Sequence, residues 1–301
     1  MPAEPLRYFD RYRRTIETES IYGEGWLRWA YENPIGRLTT WLIVRRPIFS
    51  HYFGWRMNRR GSGRHVFPFI VDYNLDVDEF AKSAFDFRTF NEFFTRALKP
   101  SVRPIAEPDN DRLATFPADG RHLAFANVDT ADGFYTKGAK FTFADLLGDP
   151  ALAEAFAGGS MLISRLCPVD YHRFHFPVAG VPDDGRLIGG WLYSVSPIAL
   201  RRNVRRLVEN KRRITLLQSE AFGRVAMIEV GATNVGSILE TYVPGRLAKK
   251  GEEKGMFKFG GSCVITVFQR NRIRFDPDIL EQSAAGLETY AKMGDRLGIA
   301  S

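Results

Sequence analysis

The chain has 301 residues, of which 45% are hydrophobic and 26% charged, with 27 glycines and 16 prolines. This composition excludes disordered and fibrous proteins and allows a full hydrophobic core. The two cysteines, Cys167 and Cys263, are too few for a disulfide framework. No apolar run approaches the roughly 18 residues that a membrane-spanning helix needs. The first twenty residues are charged and lack an apolar core, so no secretory signal is expected.

The first 64 residues have an unusual composition. They contain twelve arginines, no lysines and six acidic residues, a net charge of +6 out of the formal +7 of the chain. Trp26, Trp29, Trp41 and Trp55 lie among these arginines. Guanidinium groups bind lipid phosphates and indole rings favour the water–lipid boundary, so the pattern suits an anionic membrane surface. A segment whose aromatic side chains dock on the protein itself fits the composition equally well, and nucleic acid is not expected as a partner because no binding motif accompanies the charge.

Helical patterns come first along the chain. Amphipathic helices are predicted at 24–31 and 36–53, a hinge at 61–63 and a longer helix at 85–98. Strand patterns dominate from residue 113, interrupted by small helices at 143–147 and 151–156. The strands are predicted at 134–143, 161–166, 187–195, 213–218, 224–230, 237–243 and 263–270. Helices followed by many short strands predict an α+β fold with a mostly antiparallel β core, sandwich-like or barrel-like, and N-terminal amphipathic helices.

Three segments carry groups that suit catalysis. Asp119 lies in a Pro-Ala-Asp-Gly turn, His172 and His175 lie three residues apart before a proline, and Ser262 follows two glycines at the start of an apolar strand. Serine, histidine and aspartate are the components of a nucleophilic triad, in which the imidazole takes the hydroxyl proton and the carboxylate orients the imidazole. The sequence alone does not establish that these residues meet.

Each segment also has a simpler interpretation. The aspartate turn is typical of a capped type I turn, and two glycines before a strand are typical of a loop. The histidine pair could be structural, or could join the two cysteines in a zinc site. Because Ser262 and Cys263 would face opposite sides of one strand, a site that uses the serine disfavours the zinc site, and no metal is expected.

In this order, the segments Pro117–Gly120, Asp170–Pro177 and Gly260–Ser262 resemble those of the phosphatidylserine decarboxylase family. Segments 89–94 and 251–255 extend the resemblance, which covers about residues 68–268. Loss of CO2 from an amino acid leaves a carbanion that needs an electron-accepting group, and the chain has no fingerprint for pyridoxal phosphate. The resemblance implies a covalent pyruvoyl group instead.

The resemblance also implies roles for individual residues. The chain would cut itself between Gly261 and Ser262, with His175 as the base and Asp119 behind it, and Ser262 would become the pyruvoyl group. His172 would assist decarboxylation and reprotonation of the substrate. A neutral histidine suits the base, because its ordinary pKa of about 6.5 leaves it mostly unprotonated in the cytosol.

The implied organisation has two parts. Residues 1–64 would form a basic, Trp-rich membrane-associating arm, and residues 65–301 a catalytic domain cut into 1–261, the β chain, and 262–301, the α chain. The expected reaction converts phosphatidylserine to phosphatidylethanolamine on the cytoplasmic face of a membrane, with an anionic membrane surface and a second copy of the chain, as a homodimer, as further partners. The alternatives are a pyruvoyl-dependent decarboxylase of a free amino acid and a catalytically dead membrane-surface binding protein. A serine hydrolase is a distant choice because the chain lacks a Gly-x-Ser-x-Gly elbow.

Overall fold

The structure is a computed structural model, and it describes residues 5–21, 23–127, 142–200, 202–232, 238–260 and 262–301. Gly261 and most of the strand predicted at 134–143 lie outside these ranges.

Helices and strands follow one another in runs along the described chain. The strands are β1 (Arg7–Asp10), β2 (Thr15–Thr18), β3 (Leu113–Thr115), β4 (Gly120–Phe125), β5 (Ser160–Leu166), β6 (Arg173–His175), β7 (Val181–Pro182), β8 (Arg186–Ile188), β9 (Arg212–Ser219), β10 (Gly223–Val230), β11 (Ile238–Glu240), β12 (Glu253–Phe257), β13 (Ser262–Phe268), β14 (Ile273–Phe275), β15 (Glu288–Ala291) and β16 (Arg296–Ala300). The α-helices are α1 (Glu24–Glu32), α2 (Pro34–Thr39), α3 (Pro47–Met57), α4 (Val66–Asp72), α5 (Phe90–Phe94), α6 (Phe143–Leu147), α7 (Pro150–Ala155), α8 (Pro197–Leu200), α9 (Arg206–Glu209) and α10 (Pro277–Ala284).

A ten-stranded sheet forms the centre of the molecule. Its order is β2-β1-β15-β4-β5-β13-β10-β9-β7, and β8 also pairs with β9. All of these pairings are antiparallel except β1 with β15. The α+β fold and its mostly antiparallel core are therefore confirmed. The described strands start at β2 and end at β7 without joining, so they form an open sheet and no closed barrel.

The middle of this sheet is buried on both faces, as the side chains of β13 illustrate. Successive residues of a strand point to opposite faces. Val264 and Phe268 pack into one apolar cluster, whereas Cys263, Ile265 and Val267 pack into another. The first cluster is covered by α10 and two three-stranded sheets, β11-β12-β6 and β14-β16-β3, and the second by α6 to α9. The centre is thus a sandwich, and β13 runs through its middle.

The N-terminal region contributes to the sheet as well as to the helical surface. Residues 7–18 form the hairpin β1–β2, and β1 pairs with β15 near the C-terminus, although these residues lie within the predicted arm. Helix α1 is confirmed, and the helix predicted at 36–53 is divided into α2, a π-helical stretch Thr40–Val44 and α3. Pro47 accounts for the last division because it opens α3 at its first turn.

The hinge predicted at 61–63 is instead a packed turn. Ser62 is buried, its hydroxyl donates to the carbonyl oxygens of Met57 and Arg59, and it accepts the N–H of Phe90 at 2.9 Å. A Cβ at Gly63 would lie 2.9 Å from the Arg88 carbonyl oxygen, so only glycine fits this close approach. The turn therefore fixes α3 to α5.

The strands and helices around the site agree well with the sequence, with two exceptions. The helix predicted at 85–98 shrinks to α5, because Thr89 caps its start and Leu98 pairs with Phe80 in an isolated β-bridge. The strand predicted at 187–195 ends at Ile188. Gly190 lies against the backbone of Asn210, whose side chain bonds both the N–H and the carbonyl of Tyr193 in place of a strand ladder.

Candidate active site

Ser262 is the first residue of β13 and is fully buried. Strands β5 and β10 flank β13, so hydrogen bonds from both sides hold the strand that begins with this serine. Gly260, two residues earlier, has φ +138°, a backbone angle that favours glycine. The backbone therefore reaches Ser262 through a conformation that other residues adopt only at a cost in strain.

His172 lies beside this serine. Its Nδ1 is 3.3 Å from the hydroxyl oxygen of Ser262, and its Nε2 is 2.9 Å from the carbonyl oxygen of Cys167. Because a carbonyl oxygen only accepts hydrogen bonds, Nε2 carries the proton and the lone pair of Nδ1 faces Ser262. Burial, with a smaller contribution from the charge of Arg96, lowers the pKa of His172 to about 3. The ring is thus a neutral base aimed at a buried hydroxyl.

Helix α5 holds the ring of His172 in place. Phe94, its last residue, stacks on the imidazole with 3.9 Å between ring centroids and 24° between planes. Asn91 of the same helix accepts the N–H of Phe259 at 2.9 Å, and the ring of Phe259 packs on Phe94. One short helix therefore contacts both the histidine and the chain that leads into Ser262.

His175 lies in β6 and is also buried, but it has a different partner. Its Nδ1 is 3.1 Å from the carbonyl oxygen of Gly251, and its Nε2 has no hydrogen-bond partner among the described residues. Burial lowers its pKa to about 4, so this ring is neutral as well. The structure thus brings His172, and not His175, within hydrogen-bond distance of Ser262.

Asp119 forms an ion pair next to the site. Arg103 donates to both of its carboxylate oxygens at 2.6–3.0 Å, and the N–H of Met293 donates to Oδ1 at 2.9 Å. Burial alone would lower the pKa of Arg103, but hydrogen bonds to Asp119 and attraction to that carboxylate raise it above its ordinary value. The hydrogen bonds of Asp119 go to these groups rather than to His175. Sequence reasoning assigned no role to Arg103, which lies 16 residues before its partner.

A second buried ion pair supports the turn before His172. Arg121 donates to both oxygens of Asp170 at 2.6–2.7 Å, and Asp170 accepts the N–H of Cys167 at 2.7 Å. The carbonyl group of Cys167 is the one that accepts from His172. Asp170 belongs to the segment that contains both histidines. Its position, two residues before the candidate base His172, was the sequence feature that could have indicated its role.

The two cysteines lie in different surroundings. Cys263 packs in the apolar cluster on the face of β13 opposite to Val264, whereas Cys167 lies in the polar turn before His172. Within the described ranges, no group of three or more His, Cys, Asp or Glu side chains is arranged to hold a metal ion.

A cavity of about 510 Å³ lies next to the chain that leads into Ser262, although Ser262 and His172 do not line it. One wall is formed by the turn Cys167–Val169 and by Phe259 and Gly260. The other walls are mostly apolar and come from the N-terminal helices, including Trp26, Leu27, Phe49, Phe53, Met57 and Phe69. The cavity therefore lies between the N-terminal helices and the chain that leads into Ser262.

These features define an α+β protein with a buried serine–histidine pair at the start of a central strand. The sequence model of the phosphatidylserine decarboxylase family matches residues 90–299. Proteins named phosphatidylserine decarboxylase proenzyme are similar along nearly the whole chain. One from Chlamydia trachomatis is 43% identical over 99% of this chain and 98% of its own length, one from Clostridium kluyveri 42% over 98% and 99%, and one from Desulfitobacterium hafniense 40% over 98% of each. The chain belongs to the phosphatidylserine decarboxylase family, as the resemblance predicts.

Proposed function

We propose that the chain decarboxylates phosphatidylserine to phosphatidylethanolamine by means of a pyruvoyl group that it makes from Ser262. Membership in the family supports the reaction, and the word proenzyme in the names of the relatives supports processing. The observation that carries the proposal is the buried Ser262 hydroxyl facing the unprotonated nitrogen of His172, two residues after the positive φ of Gly260.

The proposed scission is an intramolecular acyl transfer. The Ser262 hydroxyl loses its proton to an imidazole, and its oxygen attacks the carbonyl carbon of Gly261 while the amide nitrogen leaves as an amine. Elimination from the resulting ester releases the Gly261 carboxylate and leaves dehydroalanine, which adds water and loses ammonia to give the pyruvoyl group. An amide is more stable than an ester, so the step needs a strained backbone and an activated hydroxyl.

Two histidines are candidates for the base in this step. The family resemblance assigns it to His175 with Asp119 behind it, and the unpartnered Nε2 of His175 supports a group able to take up a proton. The hydrogen bond between Ser262 and His172 supports His172 as the alternative base. The assignment stays a prediction, and separate alanine variants of the two histidines decide it.

The described residues fit a pyruvoyl group at position 262. A pyruvoyl group supplies a ketone that, joined to the substrate amine, accepts the electrons released with CO2. Ser262 is fully buried beside the cavity-lining Gly260, and strands on both sides of β13 would retain fragment 262–301 after the cut. The resemblance gives His172 the role of returning a proton to the substrate carbon. For this role its Nδ1, which faces position 262, must first take up a proton.

The cavity and the helical surface support a lipid substrate. The acyl chains of a diacyl lipid would bind apolar walls, whereas free serine has no apolar side chain, and the walls are formed by α1, α3 and α4. On the outer side of the helices, Trp41, Ile48, Trp55 and other large apolar side chains are about half exposed or more among arginines. Such a surface suits an anionic bilayer, so we propose peripheral association with the cytoplasmic face of a membrane.

The helices of the described residues are all too short or too polar to cross a bilayer. The two-part organisation at residue 64 and the homodimer stay predictions.

Mass spectrometry of the purified protein tests the proposal. Wild-type protein should separate into fragments 1–261 and 262–301, the second starting with a pyruvoyl group that reacts with hydrazines. Ser262→Ala should remain a single chain of 34.2 kDa and should not react. Assays with dispersed phosphatidylserine and with free serine or tryptophan then identify the substrate. An unbroken wild-type chain would favour the dead binding protein, and turnover of a free amino acid alone would favour the soluble decarboxylase.

A further inference from the structure

We propose that Glu19, at the end of the N-terminal hairpin β1–β2, is a positioning residue for His172. The hairpin residues 7–19 then belong to the catalytic site, although they lie within the predicted membrane-associating arm. Part of this inference, the effect on decarboxylation, depends on the function proposed above.

Glu19 is a buried carboxylate with several buried donors. Arg165 Nη1 and Nη2 donate to its two oxygens at 3.0 and 2.8 Å, and the thiol of Cys167 donates to Oε1. Arg121 Nε lies 3.5 Å from the same oxygen. Burial alone would raise the pKa of Glu19, but the charges of Arg165 and Arg121 lower it to about 2. Glu19 is therefore ionised at all working pH values.

Three links connect Glu19 to Ser262. The first is the contact of Glu19 with the side chain of Cys167, which also accepts a hydrogen bond from Arg165 at 2.9 Å. The second is the Cys167 carbonyl oxygen, 2.9 Å from His172 Nε2. The third is His172 Nδ1, 3.3 Å from the serine hydroxyl. A shift of Cys167 would turn the imidazole away from the serine.

The hairpin also reaches the second arginine of the site. Tyr8 of β1 packs against the guanidinium of Arg121, with 4.9 Å from the carbon Cζ to the ring centroid, and Tyr290 packs at 5.0 Å. Arg121 holds Asp170, which bonds the N–H of Cys167. The hairpin thus supports the turn before His172 from two sides. Glu19 and Cys167 also line the cavity beside Gly260.

An ordinary structural ion pair is the competing explanation. Arg165 has a second carboxylate partner, Glu288 of β15, at 2.5–3.0 Å, so it keeps a counter-charge when Glu19 is removed. What separates Glu19 from Glu288 is its contact with Cys167. A positioning role therefore predicts a change at the His172 ring itself, beyond any loss of stability.

The rate at which the ring N–H proton of His172 exchanges with solvent measures this change and does not depend on enzyme activity. The uncleavable Ser262→Ala chain is labelled with ¹⁵N-histidine for NMR spectroscopy, and its five histidines give a small number of signals. The signals that disappear in His172→Asn are those of His172. The proton on Nε2 should exchange slowly in this background and about ten times faster or more after Glu19→Ala, as the hydrogen bond to Cys167 loosens. Glu17→Ala, a partly exposed carboxylate of the same hairpin that bonds Thr15, is the matched control and should change nothing.

Kinetics provide the second measurement. In otherwise wild-type protein, Glu19→Ala should lower kcat per hydrazine-titrated pyruvoyl group by about tenfold to a hundredfold, because misplacement of about 1 Å costs this much, and leave KM within about twofold. Glu19→Gln, which still accepts hydrogen bonds, should recover most of the loss. If Glu19→Ala does not fold, Glu19→Leu, which fills a similar volume but accepts no hydrogen bond, is judged by the same criteria.

The outcomes separate this inference from the proposed function. Unchanged exchange and unchanged kcat per pyruvoyl in folded Glu19→Ala, or in Glu19→Leu where it replaces Glu19→Ala, would overturn the positioning role and leave the proposed function intact. A wild-type chain without pyruvoyl would overturn the proposed function, and the exchange experiment would then still decide whether Glu19 positions His172.

Discussion

The interior around Ser262 and the surface of helices α1–α3 both depart from the usual distribution of polar and apolar groups. Charged side chains are buried in the interior, and large apolar side chains are exposed on the helices. In the interior, Glu19, Asp119, Asp170 and their arginines are buried, and each charge is paired. On the helices, tryptophan, isoleucine and leucine side chains are exposed to solvent. Burial of charge costs stability unless it is paired, and exposed apolar surface signals a partner. The comparison supports the proposal that the reaction takes place in the interior and that the helical surface binds the lipid membrane.

The strongest test of the interior is removal of each histidine. If His172 is the base that activates Ser262, His172→Ala should slow self-cleavage by roughly 10²–10⁴-fold, the usual contribution of a general base. If the assignment from the resemblance is correct, His175→Ala should show this loss instead. Time courses of chain scission on denaturing gels measure both. Normal cleavage of both variants would contradict any histidine base in the scission.

The second test compares a buried ion cluster with an exposed one. Lys254 is fully buried and donates to Glu229 at 3.0 Å and to Glu240 at 2.8 Å. Lys254→Met leaves the fully buried Glu229 without its cation, while Glu240 keeps its ion pair with Arg213, and should lower the free energy of unfolding by about 3–5 kcal/mol. The matched control is Lys82→Met, because the Lys82 pair with Glu92 is 39–40% exposed. Its loss should be below about 1 kcal/mol.

Urea unfolding of the Ser262→Ala chain measures both lysine variants in a single uncut species. Burial raises the pKa of Glu229, so a stranded Glu229 should take up a proton and the loss in Lys254→Met should shrink at low pH. Equal losses for Lys254→Met and Lys82→Met would show that burial does not distinguish the two clusters.

The sequence predicted the central features of the interior because they are local. Strands β5, β9, β10 and β13 have apolar patterns that identify them without their partners, and the order of the short motifs identified Ser262 and the histidines. The hairpin β1–β2 has no such pattern, since RYFD and TIET are short and polar. Its partner β15 lies 280 residues away at the pairing of Tyr8 with Glu288. Contacts between residues so far apart in the sequence leave no periodic pattern. The sequence therefore showed Glu19 only as one of the acidic residues of segment 1–64.

The third test uses the pH dependence of stability. Burial lowers the pKa of His172 to about 3 and that of His175 to about 4, below the ordinary value of 6.5. The unfolded chain therefore binds these protons first, so the contribution of each ring is complete above pH 6.5 and is lost as the pH falls towards its folded pKa. Between pH 6.5 and 4.5 each buried histidine should cost about 2–3 kcal/mol.

Unfolding free energies of Ser262→Ala across this pH range measure the loss. His172→Asn in the same background is the control, because asparagine does not titrate and the slope should decrease by the share of one ring. An unchanged slope would mean that His172 is not buried as a neutral ring.

The smallest expected effect lies on the helical surface. Ile48 and Trp55 of α3 are 76% and 54% exposed, and insertion into a bilayer would remove this apolar area from water. Ile48→Ser or Trp55→Ser should weaken partition into phosphatidylserine-containing vesicles by roughly tenfold, at about 1.5 kcal/mol or more for each side chain. Leu247→Ser is the matched control, because Leu247 is 63% exposed but lies in a loop of the catalytic part. If the surface and the interior have separate roles, both helix variants should cleave themselves at the wild-type rate. Their decarboxylation should recover on substrate dispersed in detergent. Equal weakening by Leu247→Ser would mean that the helices have no special part in binding.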